Sequence, residues 1–333
     1  MATSVPSSAG APRALGFSII ALLTVALGVR TPAHAADPAP KQVRALKITV
    51  LSTMLADSVG IGEWGFAALV ECDGKKLLFD TGARPRTVLE NARELKIDLS
   101  DVEDVILSHF HDDHTTGLVT LRRELAAKNP AALSRIHISK GIFLERRGAK
   151  TNPMIAMRKE LETLGSRFIE HDKPTELLPG VWLTGPIPRP NPEKNFPPGV
   201  EVIRGTTWVT DDIPDDQALV FNSARGLVML TGCGHAGIIN ILQYARTIVR
   251  AAPFVAAIGG FHLFSAKPPT IEWTADKLKE LQVAQILGAH CTGIESVYLL
   301  RQRMGLGRRD AVVATVGATF DLTSGIHTGS LAE

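Results

Sequence analysis

Apolar and polar residues alternate along several short segments in the first part of the chain, and this spacing predicts β-strands. Two of these segments are joined at Asp73-Gly74, which is a typical hairpin turn signal. Other stretches carry apolar residues at helical spacing. The predicted strands are Ala45–Leu51, Gly65–Glu71, Lys76–Phe79, Asp104–Ser108 and Ile136–Ser139, and the predicted helices are Pro85–Leu95 and Thr116–Lys128.

In the second half of the chain, predicted strands and helices follow one another in turn, which favours sheets covered by helices. Two such halves of similar length predict an α/β protein, with two sheets packed face to face in a four-layer αββα sandwich. The strands are expected at Ala218–Asn222, Gly226–Thr231, Phe254–Ile258 and Val283–Leu287, with a last strand pair near Ala311–Leu322; the helices are expected at Ile238–Ala251, Ile271–Leu281 and Ile294–Met304.

The segment 186–216 between these halves is predicted to be a long loop. It begins with PIPRPNPEKNFPPG, which contains six prolines and ends in a Pro-Gly turn signal. A loop of this length inside a compact domain is more often a lid or binding loop than a passive connection.

The N-terminus has the features of a secretory signal peptide. Arg13 precedes an apolar run from Leu15 to Val29, and Ala33-His34-Ala35 is a small-x-small cleavage site. We therefore expect residues 1–35 to be a signal peptide, residues 36–333 to be the mature domain, and the protein to be exported, to the periplasm. An uncleaved N-terminal anchor is the alternative, although the run is shorter than the roughly 20 apolar residues of a membrane span.

The charge balance gives no support for nucleic acid or an anionic membrane as a partner. The chain has 36 Lys+Arg and 34 Asp+Glu, and the predicted signal peptide accounts for two of the arginines. Without a strong field of either sign, a partner is chosen by a local site. We expect a small-molecule substrate, no nucleic acid and no stable membrane association after cleavage; the sequence does not give the oligomeric state.

The three cysteines, Cys72, Cys233 and Cys291, are too few for a disulfide framework. Cys233 and Cys291 each lie within two residues of a histidine in a Gly-rich segment. We therefore interpret both as part of a site, while a disulfide between them in an oxidising compartment is the alternative.

The strongest chemical signal is the segment 108–114, Ser-His-Phe-His-Asp-Asp-His. It follows a predicted strand, so His109 and His111, two residues apart, point to the same side. Asp113 and His114 lie where the chain turns into the next helix. One short segment can thus offer two imidazoles to one cation and a carboxylate with an imidazole to a neighbouring one. These ligands suit zinc, iron or manganese better than calcium or magnesium.

Three further histidines share one context, in which an apolar strand is followed by a Gly-rich turn that lets backbone approach a site closely. They are His235 in TGCGHAG, His262 in GGFHL and His290 in GAHCTG. His137 and His171 lack this setting, and we interpret them as structural. Asp80 closes the strand KLLFDTG, where its carboxylate could orient a ligating histidine; a simple turn aspartate is the alternative.

The D-T-G turn followed by S-H-x-H-x-D-H resembles the metallo-β-lactamase superfamily. GCGHAGIIN, GGFHL, HCTG and DDQAL are similar to a narrower group within it, the metal-dependent hydrolases labelled 7,8-dihydropterin-6-methyl-4-(β-D-ribofuranosyl)aminobenzene 5′-phosphate synthase. The resemblance covers essentially all of the expected mature chain. It implies an αββα sandwich with a metal site at one edge of the two sheets, and it says little about substrate.

Carried over by position, the resemblance implies that His109 and His111 hold a first metal, that Asp113 and His114 hold a second, and that His290 is the last superfamily histidine. Cys233 stands where many of these hydrolases place a metal-bridging aspartate, and the histidine that usually precedes that strand has no counterpart. We infer that His235 completes the ligands of the first metal and that Cys233 lies near or on the second metal. A one-metal site is the alternative.

The expected cofactor is one or two zinc ions, with iron or manganese as alternatives. A bound divalent ion lowers the pKa of water from about 16 to about 7 and so provides a nucleophile at neutral pH. Asp113 is expected to orient that nucleophile. His262 is expected to protonate the leaving group, and the alternatives are that it is a metal ligand or a substrate contact.

Three functions are compatible with the sequence. We rank first an exported metallo-hydrolase that acts on an ester, lactone or phosphoester. The second is a synthase-like transferase that joins a pterin unit to an aminobenzene ribose phosphate, whose cytoplasmic substrates conflict with export. The third is a non-catalytic metal-binding sensor, which the retention of Asp113 and His290 disfavours. β-Lactam hydrolysis fits poorly, because the Cys233 and His235 pair does not match the usual ligand layout.

Overall fold

The computed structural model describes residues 10–11, 40–148 and 151–331. Its strands and helices, in chain order, are β1 Leu46–Ser52, β2 Ala67–Cys72, β3 Lys75–Phe79, α1 Thr87–Glu94, β4 Asp104–Ile106, α2 Asp112–Thr115, α3 Leu118–Ala126, β5 Arg135–Ser139, β6 Arg146–Gly148, α4 Pro153–Thr163, β7 Arg167–His171, β8 Thr175–Leu178, β9 Val181–Leu183, β10 Val200–Arg204, β11 Thr207–Thr210, β12 Ala218–Ser223, β13 Gly226–Thr231, α5 Ile238–Ile248, β14 Phe254–Gly259, α6 Pro268–Glu280, β15 Ile286–Gly288, α7 Ile294–Met304, β16 Ala311–Val313, β17 Thr319–Asp321 and β18 Gly325–His327.

These strands form two large sheets and one small one. The first large sheet has the order β18-β17-β1-β2-β3-β4-β5-β7, and the second has the order β16-β15-β14-β13-β12-β9-β8. The small sheet has the order β11-β10-β6. Strands β3, β4, β5 and β7 run parallel to one another, as do β13, β14, β15 and β16.

The core lies in three layers because the strands bury both of their faces. Ile48 of β1 and Phe221 of β12 belong to one apolar cluster between the two large sheets. The alternate residues point outwards: Leu51 packs with α1 and α3, and Val220 packs with α5, α6 and α7. Helices therefore cover the outer face of each sheet, which confirms the predicted α/β class and the αββα sandwich.

Two predictions about individual elements were wrong. The segment 186–216 is irregular only in its first part, because β10 and β11 form a hairpin that pairs with β6. The strands β16 and β17 do not pair with each other, since β16 joins β15 in the second sheet while β17 joins β1 in the first. The strand that holds the hairpin, β6, and the strand that holds β17, β1, both lie far away in the sequence, and a local pattern carries no information about such partners.

Five elements between residues 140 and 185 were not predicted: β6, α4, β7, β8 and β9. A signal for α4 is present: the side chain of Asn152 caps it by accepting a hydrogen bond from the Met154 N–H at 3.0 Å, and Pro153 occupies the first helical position. The apolar spacing within α4 is weak because only Met154 and Leu161 are buried.

The described residues from Pro40 onwards form one compact unit. The predicted signal peptide, 1–35, lies outside the described residues except for Gly10 and Ala11. Among the residues described, none of the helices combines the length and apolar character needed to cross a membrane.

Candidate metal centre

The candidate site is built where strands of both large sheets end. Because β3 and β4 are parallel, and so are β13, β14 and β15, the carboxyl ends of each set meet at one edge. The chain leaves each of these ends in a short irregular turn that carries a polar side chain. Those side chains are Asp80 after β3, His109, His111, Asp113 and His114 after β4, Cys233 and His235 after β13, His262 after β14 and His290 after β15.

A first group of possible ligands consists of His109, His111 and His235. The Nδ1 atom of His111 lies 2.9 Å from Nε2 of His109 and 3.2 Å from Nε2 of His235. In a tetrahedral zinc site with Zn–N bonds of about 2.05 Å, ligand nitrogens are about 3.3 Å apart. All three side chains are buried, and their three nitrogens lie within 4.8 Å of one another. This donor set fits a divalent cation.

A second group consists of Asp113, His114, Cys233 and His290, whose donor atoms also lie within 4.8 Å of one another. His114 Nε2 is 3.1 Å from Cys233 Sγ, and His290 Nε2 is 3.2 Å from Asp113 Oδ2. The buried atoms Asp113 Oδ1 and His290 Nδ1 have no hydrogen-bond partner among the described residues. Buried polar atoms without partners are costly, so a cation held by this group would satisfy them.

Asp80 orients one histidine of each group. Its Oδ2 accepts a hydrogen bond from His114 Nδ1 at 2.7 Å and another from Ser108 Oγ at 2.7 Å. Ser108 Oγ in turn lies 2.9 Å from His109 Nδ1, from which it accepts. Both imidazoles are therefore held through Nδ1 with Nε2 turned inwards, which is the arrangement that supports metal ligands in proteins, and a bound cation would take the place of any proton on Nε2 of His114.

The strand ends are held in uncommon backbone conformations. Asp80, His262 and His290 have φ values of 57°, 52° and 45°, in the left-handed region that side chains rarely adopt. Such residues persist where the surrounding structure fixes them, and they cluster at functional sites. Gly232 permits the close approach of the β13 turn, since a Cβ there would lie 2.1 Å from Ser108 Oγ.

The electrostatics of the site favour neutral imidazoles in the first group. Burial lowers the pKa of His109 well below its ordinary value, and the neighbouring histidines lower it further. The pKa of His235 is lowered in the same way, by burial and then by His111. A neutral imidazole is the form that binds metal. In the second group, burial would lower the pKa of His114, but Asp80 and Asp113 outweigh it and raise that pKa to about 9.

The two groups open on a cavity of about 800 Å³. One wall is the proline-rich stretch 192–198, so this part of the predicted binding loop does border the site. The Asn195 carbonyl accepts a hydrogen bond from His235 Nδ1, and Asn195 Nδ2 donates to the Gly234 carbonyl at 3.2 Å. The loop therefore both lines the cavity and fixes the ring of a candidate ligand.

Several residues at the site were not singled out from the sequence. The Trp64 ring lies 4.9 Å from the His290 ring and 5.2 Å from that of Phe264, at the mouth of the cavity. Trp64 and Phe264 are about half exposed, at 48% and 49%, and both lie in irregular segments; Phe264 directly follows the quoted segment GGFHL. Ser108 stood inside the quoted motif, so its position beside His109 was an available signal.

The remaining predicted side chains lie as follows. His262 is in the cavity wall, with its ring 4.6 Å from that of His235. Cys233 and Cys291 are buried free thiols, so the disulfide alternative is not formed in this structure. His137 and His171 contact each other, with Nδ1 to Nε2 at 3.0 Å, and His137 also contacts Asp104 at 3.0 Å.

Glu193 anchors the cavity loop to helix α5. Its carboxylate accepts hydrogen bonds from the backbone N–H groups of Ile239 at 3.2 Å and Asn240 at 3.0 Å, at the N-terminus of the helix. Burial raises the pKa of Glu193 to about 7, although these N–H groups act in the opposite direction. The loop is thus held by a carboxyl group whose charge changes near neutral pH.

This anchor predicts a pH dependence of stability. A carboxyl group whose pKa is raised on folding stabilises the protein below its unfolded pKa, and that contribution is lost as the pH rises through about 7. The Glu193→Gln variant cannot ionise, so we expect its urea midpoint to fall less than that of the wild type between about pH 5 and about pH 8. Glu272→Gln, at an exposed position of α6, is the control, and its urea midpoint should change with pH along the wild-type slope. Equal slopes in all three proteins would contradict the assignment.

Comparisons with known sequences place these features in a family. The family model described as the metallo-β-lactamase superfamily matches residues 65–202. A 7,8-dihydropterin-6-methyl-4-(β-D-ribofuranosyl)-aminobenzene-5′-phosphate synthase from Methanocaldococcus jannaschii is 31% identical over 242 residues, which are 69% of this chain and 81% of that protein. An uncharacterized protein from the same organism is 28% identical over 242 residues, covering 72% of this chain and 87% of its own length.

Solved structures agree with this placement. A metal-dependent hydrolase of the β-lactamase superfamily has a TM-score of 0.67 and 28% identity, with 83% of this chain and 98% of that chain covered. The metallo-β-lactamase fold protein YhfI from Bacillus subtilis, at 12% identity, has a TM-score of 0.52 over 84% of this chain and 100% of that one, and supports the fold. Together with the sequence relatives, these matches show that the chain belongs to the metallo-β-lactamase superfamily.

Proposed function

We propose that this protein is a metal-dependent hydrolase that cleaves an ester, lactone or phosphoester. The observation that carries the proposal is the convergence of His109, His111 and His235 with the second ligand group at the floor of one cavity. The similarity to a solved metal-dependent hydrolase at 28% identity supports it. Zinc is the proposed metal because imidazole, carboxylate and thiolate together suit it, with iron or manganese as alternatives.

The chain's own residues would contribute binding, orientation and charge. A divalent ion held by these ligands supplies a nucleophile from water at neutral pH and polarises the bond that is cleaved. Burial would raise the pKa of Asp113, but His114 and His290 outweigh it and hold that pKa well below its usual range. Asp113 is therefore ionised at neutral pH and, since it faces the cavity, can accept a hydrogen bond from the attacking water.

A synthase is the second candidate, and the 31% identical relative named as a synthase favours it. Under this alternative the same cavity would hold a pterin and a ribofuranosyl-aminobenzene phosphate, and the product would be a joined compound. The two candidates differ in what leaves the site, because a hydrolase releases two fragments of one substrate while the synthase releases one larger molecule.

We also propose that the protein is exported to the periplasm and acts there on a small molecule, without nucleic acid or a stable membrane association. The support is the signal-like pattern of residues 1–35 and the even charge balance of the chain. N-terminal sequencing of the protein from a periplasmic extract tests this: a mature N-terminus at Ala36 is expected, and an intact Met1 in the cytosol would contradict export.

The hydrolase is tested by removing the metal and restoring it. Exhaustive chelation should abolish turnover in a panel of chromogenic esters, phosphodiesters and lactones, and zinc, manganese or iron should restore it. A β-lactam is included as a substrate that we expect to be poor. Full activity after chelation would contradict a metal mechanism. Formation of a joined pterin product, with no hydrolysis of any panel member, would favour the synthase, and inertness of a metal-loaded protein in both assays would favour a sensor.

A further inference from the structure

A third cluster of possible ligands lies beside the two groups described above. It consists of Cys233, His262 and Cys291, whose donor atoms lie within 4.8 Å of one another. These residues follow β13, β14 and β15, which are adjacent parallel strands of the second sheet. All three border the cavity, so an ion from solvent could reach them. We refer to these three residues as the thiol cluster.

The two sulfur atoms are placed together by the backbone of the neighbouring turns. Cys233 and Cys291 are 2% and 1% exposed, and Cys291 Sγ lies 3.6 Å from the Cys233 carbonyl oxygen. Gly260 makes room for them, because a Cβ at that position would lie 2.7 Å from Cys291 Sγ and 2.3 Å from the Gly232 carbonyl oxygen. A side chain at residue 260 would therefore displace the Cys291 sulfur from the cluster.

His262 completes the cluster in an uncommon conformation. Its φ of 52° lies in the left-handed region, and its donor atom lies within 4.8 Å of the sulfur atoms of both cysteines. Its Nδ1 atom is buried and has no hydrogen-bond partner among the described residues. An imidazole held this way beside two sulfur atoms has the donor set of a Cys₂His centre, with the fourth position open to the cavity.

We propose that Cys233, His262 and Cys291 bind a thiophilic cation of the zinc class, additional to the ions of the proposed hydrolase site. Cys233 also belongs to the second ligand group, 3.1 Å from His114 Nε2, so its sulfur would bridge the two neighbouring ions. With the neighbouring ion in place Cys233 is already a thiolate, so binding releases the proton of Cys291, and the Cys291 thiolate together with the shared Cys233 thiolate offsets the charge of the added ion. Thiolate ligands select zinc, cadmium or copper(I) over manganese or calcium.

This assignment changes the role expected of His262 from the sequence. A proton donor needs an imidazole that is free to gain and lose a proton near the leaving group, whereas a metal ligand keeps its lone pair on the ion. The two roles make different demands on a substitution. A cysteine can replace a histidine as a ligand of a soft metal, but it does not reproduce an imidazole as a general acid.

The test counts bound ions. The chain is purified with all three thiols reduced, stripped with a chelator and titrated with cadmium; bound ions are measured by elemental analysis, and thiolate bonding by the ultraviolet charge-transfer band. We expect Cys291→Ser and His262→Ala to bind about one equivalent less than the wild type, and His262→Cys to recover it. Cys72→Ala is the matched cysteine control, because Cys72 lies in the core between the sheets, and it should bind as the wild type does.

The outcomes separate this inference from the hydrolase proposal. An unchanged cadmium count in Cys291→Ser overturns the third cation site while leaving the hydrolase standing, and a wild type that binds no ion overturns both. A single reactive thiol, instead of three, in the denatured, freshly purified protein would show a Cys233–Cys291 disulfide and would also overturn the cation site. If Cys291→Ser does not fold, as judged by circular dichroism, the comparison of His262→Ala with His262→Cys decides.

Discussion

Replacing His111 by alanine is expected to abolish metal-dependent turnover while leaving the protein folded. The Nδ1 atom of His111 lies between the Nε2 atoms of His109 and His235, at 2.9 and 3.2 Å, so this one side chain joins the first ligand group. The loss should exceed the roughly 10- to 100-fold in metal affinity or activity that follows removal of a residue that only supports a ligand. Turnover and bound metal are measured on the same preparation.

A matched control separates loss of the ligand from loss of a histidine in general. His327 in β18 is exposed and bonds to Ser324 Oγ at 2.8 Å, so His327→Ala should retain both metal and turnover. The circular dichroism spectrum of His111→Ala should match the wild type, because the surrounding strands keep their own cores. The metal mechanism is refuted if His111→Ala turns over substrate at the wild-type rate after passing through chelator.

The sandwich could be predicted from sequence because its strands and helices carry their signals locally. Strands such as β13, predicted at its observed bounds of Gly226–Thr231, are apolar on both faces and end at glycine-rich turns. The proximity of the candidate ligands in one short segment, His109 to His114, could also be predicted, since a strand end fixes the directions of neighbouring side chains. The position of His290 beside Asp113 depended instead on the family resemblance.

The parts that sequence did not predict depend on contacts between distant segments. β10 pairs with β6, about fifty residues earlier in the chain, and Asn195 meets His235 through its backbone carbonyl, which any residue could provide. Trp64 reaches the site from an irregular segment after β1. Such contacts are set by tertiary packing, and the local pattern of polar and apolar residues does not record them.

A buried arginine provides the second prediction with a large expected effect. Arg146 in β6 donates from Nε to Asp211 at 2.8 Å and from a terminal nitrogen to Asp215 Oδ1, and all three side chains are almost inaccessible to solvent. Its guanidinium lies 3.6 Å from the centre of the Phe110 ring, and Asp215 Oδ2 accepts from the Phe110 N–H at 2.8 Å. This network holds Phe110 in place and so supports the segment 109–114, because Phe110 lies between His109 and His111.

Arg146→Leu is therefore expected to destabilise the protein by about 3–5 kcal/mol, since it leaves two carboxylates buried without their partner. The neighbouring Arg147→Leu should cost no more than about 1 kcal/mol, because Arg147 pairs with Glu201 on the surface, with side-chain exposures of 54% and 43%. Urea unfolding of the two metal-free variants measures the difference.

Burial already raises the pKa of Asp215 despite Arg146. Without the arginine that pKa rises further. The loss of unfolding free energy in Arg146→Leu, relative to the wild type, should therefore shrink as the pH falls towards the ordinary carboxyl range, where protonation removes the buried charges. A loss of unfolding free energy that is equal in both variants, or independent of pH, would show that the Arg146 network does not provide this stabilisation.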